Sequence, residues 1–149
     1  MNYLPEAEKT RKRLIKSLKE NGYKLTSQRL EIINLLSKES THPNAMHIFK
    51  KAQKKAPQLS ISTVYYTLDI LKKEGLIREL EFYDQDNRYE VNISNHLNLI
   101  CTTCCKIEDF MQELPFSSHA VEKKTGFQPV RMRFEYYGCC KACRRKQNK

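Results

Sequence analysis

Two Cys-x-x-Cys hooks, Cys101/Cys104 and Cys140/Cys143, constrain this chain more than any other feature. The spacing turns two thiolates of one tight turn toward a single ion, and two such turns complete a tetrahedral four-thiolate site of the structural zinc type. The doublets Cys104-Cys105 and Cys139-Cys140 leave the register unambiguous, because neither Cys105 nor Cys139 has a cysteine three residues away on either side. The reading is one structural Zn(II). Two others compete with it. Three disulfides would use all six cysteines, but no signal peptide is expected and Lys- and Arg-rich flanks are those of intracellular zinc modules. A thioredoxin-like redox motif needs one hook inside a βαβ pattern, and two hooks so placed fit it poorly. Four thiolates on a divalent ion leave about −2 of charge; Lys106, Lys141, Arg144 and Arg145 lie close enough in sequence to offset it. Cys105 and Cys139 remain as small packed residues or spare thiols.

A chain of 149 residues makes one ordinary domain or two small ones. Its longest apolar runs fall well short of the roughly 18 residues of a membrane span, so no membrane association is expected. The formal net charge is +10. Through Tyr83 there are 16 Lys+Arg against 9 Asp+Glu, and after it 11 against 8, so the basic excess lies away from the hooks. A cationic surface gains affinity for nucleic acid by releasing phosphate counterions, which makes nucleic acid the first partner to consider.

Apolar periodicity predicts a helix over 6–21, with Leu14, Ile15 and Leu18 on one side and Gly22 as its stop. Thr26 or Ser27 caps a second helix carrying Leu30, Ile33 and Leu36. Thr41-His-Pro-Asn opens a third, around 45–56, which Pro57 ends. Ser60 caps a fourth, whose stripe Ile61, Val64, Leu68 and Leu71 is to be buried and which Gly75 closes. Its other face shows Ser62, Thr63 and Tyr66, with Tyr65 at the boundary. Hydroxyls and phenols at the leading end of a helix suit major-groove reading, although an ordinary amphipathic helix with two surface tyrosines has the same pattern. The β-like stretches 76–83 and 88–93, joined by Asp84-Gln-Asp-Asn87, form a hairpin. Helices followed at once by a hairpin are the order of a winged helix-turn-helix, with Arg78 and Arg88 as candidate phosphate contacts on the wing. Beyond Ser94 the pattern reads as strands at 97–101 and 106–110, a helix over 115–125 turning Ala120 and Val121 to a core, and a half-buried strand over 129–137. In that last strand Val130, Met132, Phe134 and Tyr136 alternate with charged residues. The expected class is α+β: a winged-helix domain over 1–93, then a small zinc-stapled αβ domain over 94–149. About 55 residues make a poor core alone, and zinc or a second copy would supply what is lacking.

Taken together, KLTSQR at 24–29, HPNAMHIF at 42–49, STVYYTLDILKKEGLI at 62–77, RYE at 88–90, HLNLICTTCCKIEDF at 96–110 and YGCCKAC at 137–143 resemble the ferric uptake regulator (Fur) superfamily of bacterial metal- and peroxide-sensing repressors. The resemblance runs from about residue 10 to 145 in the family's order. It implies a cytoplasmic homodimer on double-stranded DNA with a palindromic operator, αβ dimerisation through the second domain, and no enzymatic activity. It places the structural zinc on Cys101, Cys104, Cys140 and Cys143. It also implies a regulatory metal site at the hinge, on His42, Glu90, His96, Asp109 and the residue at position 98. That donor set suits Fe(II) or Mn(II), with zinc as competitor. An ion bridging two domains fixes their angle, so its binding favours the DNA-competent form.

Asp109 resembles the aspartate of the peroxide-sensing branch, in which Fe(II) and hydrogen peroxide oxidise a ligand histidine, here His42 or His96, and release the repressor. Asn98 departs from the family's histidine, which lowers the expected affinity for iron. Lys24 resembles a minor-groove lysine of the family and joins Ser62, Thr63, Tyr65 and Tyr66 as a candidate DNA contact. Tyr66 and Asp69 replace the family's Arg and Asn, so a departure from the family's operator is expected. Met132 stands where some relatives carry a further metal-binding histidine, and no third site is expected. His47 and His119 read as surface or packed residues. Three readings compete with a peroxide-sensing repressor: a regulator answering to metal level alone, a constitutive DNA-binding protein with a dead sensor site, and a thiol redox enzyme.

Overall fold

The computed structural model describes residues 6–147, in which the chain forms two compact units divided between Ile93 and Ser94. The fold is α+β.

The first unit runs α1 (Glu6–Glu20), α2 (Ser27–Lys38), α3 (Ala45–Gln53), α4 (Ile61–Lys73), β1 (Arg78–Leu80) and β2 (Arg88–Glu90). Local chemistry sets the ends. The side chains of Thr26, Asn44 and Ser60 accept the backbone N–H three residues on, capping α2, α3 and α4. Gly22 and Gly75 follow α1 and α4 at φ +78° and +66°, where a β-carbon is unfavourable. α3 is shorter than the sequence implies: it ends at Gln53, and Lys54 and Lys55 turn before Pro57. Leu14, Leu18, Ile33, Leu36, Leu68 and Leu71 are at most 1% exposed and form the centre of one core. α4 buries Val64, Thr67, Leu68, Ile70 and Leu71. Ile61 is only partly buried, so the inward stripe starts one turn later than the periodicity places it. β1 and β2 pair antiparallel, with Arg78 opposite Glu90 and Leu80 opposite Arg88, as a winged helix-turn-helix requires. The ladder is three residues long on each side, shorter than the expected hairpin.

The second unit runs β3 (Leu97–Cys101), β4 (Ile107–Phe110), α5 (Ser118–Thr125), β5 (Glu135–Gly138) and α6 (Lys141–Gln147). Its sheet has the order β4-β3-β5, with β3 antiparallel to β4 and parallel to β5. Two expectations fail here. α5 buries no residue, Ala120 and Val121 being only half-buried, and residues 129–134 are not a strand, which leaves Val130 98% and Tyr136 65% exposed. The reason is size. The aliphatic core of this unit is Leu97, Ile100 and Ile107, too little to cover both a helix and a full alternating strand. α6 had no apolar periodicity to announce it; it is a short basic helix that packs through Cys143.

Candidate functional site

The four-cysteine cluster lies wholly within the second unit. Cys101 ends β3, Cys104 follows in the turn to β4, Cys140 lies between β5 and α6, and Cys143 is on α6. Parallel pairing of β3 with β5, with Cys101 opposite Gly138, brings the two hooks to the same end of the sheet. The four sulfur atoms lie within 4.8 Å of one another, and those of Cys104 and Cys140 are 3.8 Å apart. A tetrahedral zinc with bonds of about 2.3 Å sets its sulfurs about 3.8 Å apart, so the cluster fits that ion. The backbone N–H of Cys140 donates to Cys101 Sγ at 3.3 Å, and this bond above all lowers the Cys101 thiol to about 5. Hydrogen bonds with Cys140 and then Cys104 push Cys143 up to about 12, because thiolates crowded together resist losing the last proton. A divalent cation relieves that crowding. Cys105 adopts φ +59° and is exposed, and Cys139 Sγ meets Thr103 Oγ1 at 3.9 Å.

Each unit also carries a buried histidine beside a carboxylate. In the first, His42 Nε2 lies 3.0 Å from Glu90 Oε2. His42 sits at φ +54°, a conformation costly for a non-glycine residue, just before Pro43. It is held there by β2: Arg88 Nε donates to the His42 carbonyl, and the Tyr89 N–H to the Pro43 carbonyl at 2.9 Å. Arg88, read from sequence as a wing contact, is thus a brace for His42.

In the second unit, His96 Nδ1 lies 2.8 Å from the Ser94 carbonyl, which can only accept, so Nδ1 donates. The other ring nitrogen, Nε2, lies 3.5 Å from Asp109 Oδ1. A metal-ligating histidine is held through its second ring nitrogen in this way. Register explains the grouping. Asn98 pairs directly across the sheet with Asp109, and His96 lies two residues earlier on the same face. Asn98 is 5% exposed, and its side-chain oxygen has no hydrogen-bond partner. The donors of both pairs, imidazole nitrogen and carboxylate oxygen, fit a divalent first-row cation.

Ser62, Tyr65, Tyr66 and Asp69 form an exposed stripe along α4, with Tyr65 49% and Tyr66 61% exposed. Thr63 is half-buried instead. Its Oγ1 meets Ser60 Oγ at 3.0 Å, so the cap holds it. Arg29 stacks its guanidinium 5.8 Å from the Tyr66 ring centre and donates to the Lys24 carbonyl. It links exposed Lys24 to the α4 stripe, a role that no sequence pattern revealed. Asp69 lies 3.6 Å from Lys72.

Residues 20–137 match the model of the Ferric uptake regulator family. The chain belongs to that family. The Peroxide operon regulator of Bacillus subtilis is 36% identical over 138 residues, 92% of this chain and 95% of that protein. Among solved structures, the Helicobacter pylori ferric uptake regulator Fur, described with three functional metal binding sites, is 32% identical with a TM-score of 0.74, and 97% of each chain is covered. The peroxide-sensing regulator PerR of Streptococcus pyogenes is 28% identical with a TM-score of 0.53, over 90% of this chain and 92% of that one. No described helix is long and apolar enough to cross a membrane.

Proposed function

We propose that this chain is a cytoplasmic, homodimeric transcriptional repressor that binds a palindromic operator when loaded with a regulatory metal and releases it in response to peroxide. The first unit is the DNA-binding domain and the second the dimerisation domain. Zinc on Cys101, Cys104, Cys140 and Cys143 is structural. The His42–Glu90 and His96–Asp109 pairs, with Asn98, hold one regulatory Fe(II) or Mn(II).

The observation that carries this reading is the buried His96 ring, with Nδ1 held by the Ser94 carbonyl at 2.8 Å and Nε2 lying 3.5 Å from the Asp109 carboxylate. The chain itself supports bringing the other pair to the same ion. Only six Cα steps separate Glu90 from His96, at most about 22 Å of extended chain, so the local concentration of one pair near the other is high. His42 and Glu90 supply one nitrogen and one oxygen from the first unit, and an ion that takes them also ties down the segment 91–95. Bound Fe(II) supplies reducing power toward hydrogen peroxide, with His42 and His96 as the side chains that take up oxygen. An oxidised imidazole is a poorer donor, so its formation weakens metal binding and with it operator binding.

For DNA, Ser62, Tyr65 and Tyr66 face outward at the leading half of α4, with Lys24 beside them through Arg29 and Thr63 supporting the turn. A hydroxyl- and phenol-bearing helix face above a net-basic unit fits the major groove. For dimerisation, the second unit exposes Phe116, Phe127, Val130, Tyr136 and Tyr137, and β5 is one of the two edge strands of its sheet. Apolar surface on that scale beside an edge strand is what a second copy covers. The relatives are transcriptional regulators, and a non-enzymatic role follows from that kinship.

The higher TM-score with the Helicobacter pylori regulator favours a second reading, in which metal level alone sets operator binding. One experiment separates them. Binding of the full chain to duplexes selected from random sequence is measured anaerobically with Mn(II) or Fe(II), then after hydrogen peroxide. The peroxide reading expects metal-enhanced binding with both ions, and loss after peroxide only with Fe(II), accompanied by added oxygen on His42 or His96. Binding that persists after peroxide leaves the metal-level reading. Binding equal with and without metal, and unchanged in His96→Ala, defeats both.

A further inference from the structure

We propose that Arg29 is a positioning residue for DNA reading: its guanidinium orients the Tyr66 ring so that the ring meets a thymine methyl in the major groove. This rests on the preceding assignment of the α4 face to DNA.

Arg29 is an unusual residue to find inside the first unit. It is 9% exposed, yet among the described residues no carboxylate pairs with it and its Nε has no hydrogen-bond partner. Burying a guanidinium without an acid is costly, because its hydration is lost and no opposite charge replaces it. Glu74, at the end of α4, accepts the Tyr23 hydroxyl at 2.7 Å rather than a guanidinium hydrogen. What Arg29 has instead is a carbonyl and a ring. It donates to the carbonyl of Lys24, and its guanidinium carbon lies 5.8 Å from the centre of the Tyr66 ring. The ring quadrupole attracts such a cation, and more strongly where water is kept from it. Tyr66 is 61% exposed and its hydroxyl makes no hydrogen bond among the described residues, so the stack is the polar contact that orients its ring. Ordering an exposed tyrosine before DNA arrives removes an entropy cost from binding.

The chemistry of the ring names its target. An aromatic edge offers no hydrogen-bond code, but the major groove carries one apolar feature, the C5-methyl of thymine, which apolar side chains recognise. A flexible ring would cover that methyl only part of the time, whereas a stacked one is already in place. The carbonyl of Lys24, and not its side chain, anchors Arg29, so Lys24→Ala removes a cation from the surface without disturbing the stack.

The test uses the zinc-loaded full chain with Mn(II) and a duplex that it selects from random sequence, each thymine in turn replaced by deoxyuridine. Losing a methyl that the protein covers is expected to weaken binding by about fourfold, the scale of burying one such group. At one position in each half-site this effect is expected to vanish in Tyr66→Ala and in Arg29→Gln, with every other position discriminated as in the parent. Tyr66→Phe keeps the ring and should keep the effect. Arg29→Lys keeps the charge but not the planar fork and should keep part of it. Lys24→Ala should weaken all duplexes alike and leave the effect in place. Arg29 as a positioning residue is overturned if Tyr66→Ala removes no methyl effect, or removes one that Arg29→Gln retains. It is overturned equally if Arg29→Gln loses discrimination at every position, as a residue that only holds the unit together would. Where Arg29→Gln does not fold, judged by its helical circular dichroism, Arg29→Lys decides, and an effect as large as the parent's overturns the role. A parent that selects no sequence overturns the assignment of α4 to DNA as well.

Discussion

The two units of this chain solve the problem of stability by different means. The first buries sixteen apolar residues in one cluster that draws on all four of its helices and the wing. The second buries three aliphatic side chains, Leu97, Ile100 and Ile107, and two thiols, Cys101 and Cys143. Hydrophobic burial at roughly 25 cal/mol per Å² accounts for the first without help, but so small a set in the second does not offset the ordering of its backbone. What the second unit has instead is a cluster of four sulfur donors joining β3, the turn to β4 and α6 at one end of its sheet. On the proposed assignment, a core that folds by itself suits the DNA-binding unit, and a unit completed by zinc suits the dimerisation unit.

Removing zinc is therefore expected to separate the two units most sharply. Chelation under reducing conditions, or Cys143→Ser, takes away a binding free energy of about 10–16 kcal/mol of the kind that holds structural zinc modules folded. Amide hydrogen exchange should show protection lost throughout β3, β4, β5 and α6, with α1 to α4 still protected. Equal loss in both units would mean that they fold as one, and the contrast drawn above would be wrong.

The converse substitution lies in the first unit. Leu68 is 0% exposed at the centre of α4, and Leu68→Ala is expected to destabilise that unit by about 2–5 kcal/mol through lost burial and the remaining cavity. Zinc content should stay at one per chain, and the denaturation midpoint of the first unit should fall alone. Loss of zinc in this variant would show that the first unit supports the second.

The same contrast governs how much could be read from sequence. The caps Thr26, Asn44 and Ser60, the stops at Gly22 and Gly75 and the stripe Val64-Leu68-Leu71 were legible because a self-sufficient core imposes the helical period on the sequence that makes it. In the second unit the hooks were legible through their spacing, since metal geometry is local. The strand expected over 129–137 was not. Its alternation of Val130, Met132, Phe134 and Tyr136 is that of a half-buried strand, yet only Glu135–Gly138 forms a strand, Val130 and Tyr136 are exposed, and Met132 and Phe134 are half-buried. Periodicity records that a face is covered and says nothing of whether the cover belongs to the same chain. The site divides in the same way. His42, Glu90, His96, Asn98 and Asp109 were proposed by resemblance, because no spacing rule links residues so far apart. The brace from Arg88 to His42 and the stack of Arg29 on Tyr66 escaped altogether, since each depends on where two elements pack.

The smallest expected effect gives the finest test, because it makes one chemical change in both settings. Ser60 and Ser117 cap α4 and α5 alike: each hydroxyl accepts the N–H three residues on, at 3.2 and 3.1 Å. Losing such a cap costs about 0.5–2 kcal/mol of helix stability wherever it occurs. How the loss is felt depends on what anchors the helix. α4 is fixed by five buried side chains, so it unfolds only with its unit, and Ser60→Ala should lower the global stability of that unit by the full amount. α5 has no buried side chain, so it can fray by itself, and Ser117→Ala should speed amide exchange over 118–125 while the main transition hardly moves. Adding the second copy is what should change this. If the dimer covers α5, the Ser117→Ala effect moves from local fraying toward global stability as protein concentration rises, while the Ser60→Ala effect stays constant. A Ser117→Ala response independent of concentration would place α5 outside the interface.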